Sequence, residues 1–100
     1  MPHFFAVVTN FRGPGFPPDL NERAAKVKQR LLAEVPSLTG RWVSKFVFDD
    51  PQIQGIDIVA TDNRSDVEKA AAIISEEGHC HTKVLGAASW QHLFLENPFG

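Results

Sequence analysis

Five consecutive residues, Gly78-His79-Cys80-His81-Thr82, concentrate most of the reactive side-chain chemistry of the chain. Histidine titrates near neutrality, so His79 or His81 could give a proton to a bound small molecule or take one from it. On a regular strand, residues two apart share a face. His79, His81 and Lys83 would then point one way and Cys80 the other. The plainer reading is a polar strand end just after a helix terminator, with one histidine hydrogen-bonded to backbone carbonyls. A metal would need more. The two imidazoles begin a ligand set that His3 or His92 could complete, but structural zinc sites usually draw on more cysteine, and Cys80 faces away. No metal is expected. Cys80 has no nucleophile signature around it and reads as a small buried side chain.

Outside that cluster the candidates are scattered. Arg12 leads into Gly13-Pro14-Gly15, a loop without the Lys-Ser or Lys-Thr of a phosphate cradle and short of one amide donor at the proline. Arg12 could clamp an anion at a pocket edge or stand in solvent. Trp42 and Trp90 could stack on an aromatic ligand, or could serve as core and dimer contacts. Asp49-Asp50 is turn chemistry and Glu76-Glu77 ends a helix. Asp57 is unexpected on a strand: it shares a face with Val59, and an interior position would oblige it to find a partner such as Arg41 or Lys45. The candidate proton-transfer residues are therefore His79 and His81, and the candidate ligand contacts are Trp42, Arg12 and Trp90.

The elements that must position these residues follow from punctuation and periodicity. Residues 3–10 read as a strand. Asp19 and Glu22 have capping-box spacing and open a helix to about residue 35, with Leu20, Ala24, Val27, Leu31 and Val35 as its apolar stripe; Pro36 stops it. Strands follow at 41–48 and 56–61, joined by a turn from Asp49-Asp50-Pro51 to Gly55. Ser65 and Glu68 form a second capping box, Val67, Ala70, Ala71 and Ile74 mark the buried face of the second helix, and Gly78 is its expected left-handed terminator. Residues 79–85 form the last strand. The order β-α-β-β-α-β predicts one α+β domain over residues 1–100: a ferredoxin-like sandwich, with a four-stranded antiparallel sheet and both helices on one face.

Composition bounds the function. At 43% hydrophobic and 22% charged residues the chain is an ordinary globular protein. A net charge of -2 argues against nucleic acid as a partner, which needs a surplus of Lys and Arg on one face. An RNA-recognition domain shares the element order, but Ile56-Asp57-Ile58-Val59-Ala60 lacks its stacking aromatics. The single cysteine suits a reducing cytoplasm, residues 4–8 are too short an apolar run to span a bilayer, and no signal-peptide pattern opens the chain. A cytoplasmic protein without membrane association is expected.

Alternation along the strands leaves large apolar groups on both sheet faces. Phe4, Ala6 and Val8 oppose Phe5 and Val7; Trp42, Ser44, Phe46 and Phe48 oppose Val43 and Val47; Ile56, Ile58 and Ala60 oppose Val59. Helices can cover one face only. A second copy pairing sheet to sheet would cover the other, so a homodimer is expected, with the aromatic tail from Trp90 to Phe99 a candidate clamp.

The segment Ala60-Thr61-Asp62, Ser65-Asp66-Val67-Glu68-Lys69-Ala70-Ala71, Ile73-Ile74, Gly78-His79, Thr82 and Ala88-Ser89-Trp90, with Gly40-Arg41-Trp42, resembles the dimeric α/β-barrel superfamily, and within it small stand-alone bacterial proteins of unknown function. The resemblance implies ferredoxin-like protomers paired through their sheets, and a cleft between sheet and helices as the first place to seek a site. The superfamily spans cofactor-free monooxygenases, haem-degrading enzymes, isomerases and decarboxylases, so it implies a fold more than a reaction. Two expectations follow. One is a small-molecule-binding domain or minor cofactor-free enzyme taking a small apolar or aromatic ligand. The other is a non-catalytic dimerisation module whose cleft is filled by its own side chains.

Overall fold

The computed structural model describes residues 3–11, 13, 15–48 and 53–87. Their elements run β1 (Phe4–Phe11), α1 (Leu20–Glu34), β2 (Trp42–Val47), β3 (Gly55–Ala60), α2 (Arg64–Gly78) and β4 (Cys80–Ala87), with a 3₁₀ turn at Pro36–Leu38. The strands form one antiparallel sheet in the order β2-β3-β1-β4. This is the ferredoxin-like α+β fold. Among the described residues no helix is long and apolar enough to cross a membrane.

Cross-strand partners point to the same face, so the register sorts every strand residue. The face toward the helices carries the rows Trp42–Val59–Phe5–Gly86, Lys45–Asp57–Val7–Val84 and Val47–Gly55–Thr9–Thr82, and ends on Phe11–Cys80. The open face carries Ser44–Ile58–Ala6–Leu85, Phe46–Ile56–Val8–Lys83 and Asn10–His81. One assignment differs from strict alternation. The β2 register shifts between Trp42 and Ser44, so Val43 is extra and half-exposed, Trp42 turns inward, and Ser44 and Phe46 turn outward. A bulge adds one residue and reverses the facing of everything beyond it.

The helices differ in how they meet the sheet. Val67, Ala70, Ala71 and Ile73 of α2 are buried against Phe5, Val7 and Val59, with Val35 and Leu38 closing the cluster. Thr82 donates its hydroxyl to the Ala71 carbonyl at 3.1 Å, fastening α2 to β4. α1 buries none of its 15 residues, although its apolar stripe does face the sheet. Besides Leu31, which packs on the core cluster, polar contacts join it to α2. Arg30 reaches Glu76 at 2.7 Å and Glu77 at 3.1 Å while pairing with Glu34 on its own helix at 2.6 Å. Arg23 donates to the Gly78 carbonyl at 2.9 Å and pairs with Asp19 at 3.0 Å.

The helix ends also refine the expected boxes. Asp19 stands at the N-cap of α1 but spends its carboxylate on Arg23 rather than on a backbone amide, and that guanidinium holds the carboxyl below its ordinary range. At α2 the cap is Asn63, whose side chain accepts from Ser65 N at 3.1 Å and from Ser65 Oγ at 2.6 Å; Ser65 is already helical. The left-handed terminator is His79, at φ 50° and ψ 50°, not Gly78. Gly78 fits a tight spot instead: a Cβ there would lie 3.0 Å from Cys80 Sγ.

Candidate functional site

Because α1 stands off the sheet, the space beneath it is a cleft of about 640 Å3. Its roof is the α1 stripe, Leu20, Ala24, Val27 and Leu31. Its floor is the inner face of β2 and β3 with Thr9 of β1, centred on the Lys45–Asp57 row. Trp42, Val35 and Leu38 lie toward one end. Phe11 and Phe16, edge to face with ring centroids 6.1 Å apart, lie toward the other. Drug-sized ligands occupy pockets of roughly 300–1,000 Å3 with mostly apolar walls and a few placed polar groups, and this cleft has both the size and the lining.

Three polar side chains in that lining are fixed or perturbed by the fold. Gln54 is only 5% exposed. Its Oε1 accepts from Phe11 N at 2.5 Å and its Nε2 donates to the Gly15 carbonyl at 3.0 Å. Its backbone amide also donates to Thr9 O at 3.0 Å, so this residue ties the glycine loop to the edge of the cleft. Gly15 takes φ +69°, a left-handed conformation that favours glycine. Arg23 is occupied by Asp19 and Gly78. Asp57 rests on the floor, where burial raises its carboxyl above the ordinary value and the cross-strand charge of Lys45 partly offsets the rise.

The structure does not bring the two histidines together. His79 leaves the strand as the left-handed residue after α2 and is exposed. His81 lies within β4 on the open face, beside Asn10 and along a hollow of about 300 Å3 lined by Val8, Ile53, Lys83 and Leu85. The sheet separates it from the cleft. The expected common direction fails because the left-handed turn at His79 precedes the pleat, which begins at Cys80. Cys80 is buried at 1% exposure, lines the cleft, and donates its thiol to the Ile74 carbonyl at 3.4 Å.

Trp42 does line the cleft, half-buried. Arg12 and Trp90 lie outside the described residues, as does His92. His3 pairs with Asp62 at 3.2 Å beyond the opposite end of β1 from His81. Among the described residues, no three His, Cys, Asp or Glu side chains gather as metal ligands would. Sequence reasoning passed over Gln54, which carries no local signal: its importance comes from contacts with residues about 40 positions away. No protein-family model, curated protein or solved structure matches the chain.

Proposed function

We propose that this chain is a small-molecule-binding domain of the dimeric α/β-barrel type, with a largely apolar ligand seated between α1 and the sheet. The observation that carries this reading is the standing-off of α1: no residue of this 15-residue helix is fully buried, and apart from Leu31, which packs on the core, its apolar stripe borders the cleft. Helices of small domains normally turn such a stripe onto the core; among the described residues, most of this one faces a space of ligand size. Trp42 and Phe16 place aromatic rings in its lining, suited to an aromatic ligand. Asp57 and Thr9 are polar side chains on the floor of the cleft, whereas His81 lies on the other face of the sheet.

Thermal-shift screening with small aromatic and aliphatic compounds tests the reading. A ligand should stabilise the parent protein and His81→Ala, and should lose its effect in Ala24→Trp, which places an indole under the roof. Stabilisation unaffected by that indole, or absent for every compound, refutes the proposal.

The same reading includes pairing through the open face. Phe4, Phe46, Phe48, Ile53 and Leu85 are all large apolar residues at 37–51% exposure, and the first, second and last of them lie on or border that face. Apolar side chains gain roughly 1.5–3 kcal/mol each from full burial, enough in combination to favour a second copy. Light scattering after size exclusion should give a dimer at micromolar concentration and a monomer for Phe46→Glu. A monomeric parent protein would refute the pairing.

A further inference from the structure

The polar side chains of the cleft do not stand in equal positions. Gln54 has both ends of its amide engaged, by Phe11 N and the Gly15 carbonyl. Arg23 is engaged by Asp19 and the Gly78 carbonyl. Lys28 on α1 and Lys45 on β2 are exposed, so water can serve their ammonium groups. Asp57 is different. It sits mid-floor between Lys45 and Val7, the latter fully buried; its carboxylate makes no hydrogen bond or ion pair with another described residue, and Lys45 across the ladder acts on it only through space.

A carboxylate accepts several hydrogen bonds and loses most when those acceptors face an apolar space. An anionic ligand group placed against the Asp57 carboxylate would meet like charge. A donor would supply what the floor lacks. We infer that the ligand is a small apolar molecule bearing one hydrogen-bond donor, an amine or a phenolic hydroxyl, and that Asp57 receives that donor while the α1 stripe covers the apolar body. The inference rests on the small-ligand reading of the cleft and adds the polarity and position of the ligand's single polar group. Asp57 binds and orients. The raised carboxyl value at this position agrees with a group short of partners, and Lys45, Arg23 and Lys28 are the charges that face the cleft around it.

The test uses three probes of one size: ethylbenzene, 4-ethylphenol and phenethylamine, titrated calorimetrically into the full chain and into Asp57→Ala and Asp57→Asn. A hydrogen bond to a charged group corresponds to roughly ten- to a hundredfold in affinity. 4-Ethylphenol or phenethylamine should exceed ethylbenzene by that factor in the parent protein. Asp57→Ala should erase the difference while holding ethylbenzene at least as well. Asp57→Asn keeps a carbonyl acceptor but no charge, so the amine should lose more than the phenol. Saturation with phenethylamine should also lower the Asp57 carboxyl titration seen by 13C NMR. If ethylbenzene binds and neither donor binds better, or the preference survives in Asp57→Ala, the inference is overturned and the cleft remains a ligand site. If none of the three binds, both readings fall.

Discussion

Two alanines on equivalent faces of the two helices should respond oppositely to the same substitution. Ala24 lies in the roof of the cleft and is exposed; Ala70 on α2 is 0% exposed against the sheet. Leucine adds three carbons at either place. At Ala24 they enter a space of about 640 Å3 with Val27, Leu31 and Val47 along its walls. A buried methylene contributes about 0.8 kcal/mol, and with roughly half of the new surface still facing the open mouth, Ala24→Leu should stabilise the fold by about 1 kcal/mol. At Ala70 the same carbons have no room, and overpacking costs about 1–3 kcal/mol. For a domain of about 100 residues each kcal/mol moves the melting temperature by roughly 4–8 °C. Calorimetry should therefore show Ala24→Leu melting several degrees above the parent protein and Ala70→Leu clearly below it, with urea midpoints in the same order. A destabilised Ala24→Leu would refute the reasoning, because it would mean that α1 already packs as tightly as α2.

Asp57 gives a pH-dependent expectation. Its folded carboxyl is raised by burial, so the folded state holds that proton more tightly than the unfolded chain. Stability from this group is greatest below the unfolded value near 3.8, declines as pH rises through the raised folded value, and stays reduced above it. Asp57→Asn should thus exceed the parent protein in urea resistance at pH 7, with the gap closing as pH falls through 3.8; a gap independent of pH would contradict this. Gln54→Ala should cost about 1–3 kcal/mol by leaving the Phe11 amide without its acceptor, measured by urea unfolding, and should speed proteolysis near Gly15. Asn63→Ala should cost about 1 kcal/mol as a lost helix cap, whereas Ser65→Ala should cost clearly less; equal losses would return the cap to Ser65.

The element order was legible because each boundary has a local cause. Pro36 cannot continue a helix, glycines and prolines punctuate the loops, and the apolar positions of α2 repeat at helical spacing around Val67, Ala70, Ala71 and Ile74. The site was less legible because its determinants are not local. The stripe Leu20-Ala24-Val27-Leu31 has the same spacing whether it packs on a sheet or roofs a cleft. Which of these occurs depends on how far the Arg30 and Arg23 clamps to α2 hold the helix from the floor. Trp42 and Phe46 looked co-facial under a period of two, and a single bulge residue at Val43 put them on opposite sides. His79 and His81 looked co-facial for the same reason, until the helix end claimed His79. Asp57 was recognisable as anomalous from sequence, but its place at the centre of the cleft needed the register with Lys45 and Val7.

The unequal burial of the two helices bears on how this protein can change. α2 commits Val67, Ala70, Ala71, Ile73 and Gly78 to the interior, so most substitutions there alter packing and are selected against through stability. α1 commits no residue fully; Leu31 packs on the core, and the rest of its inner face borders the cleft. Exchanges at Leu20, Ala24 and Val27 therefore reshape the cleft while disturbing the core less than exchanges on α2 do. Under the proposed reading, the positions most open to substitution line the wall of the cleft, so what the cleft accepts can change while the scaffold is kept.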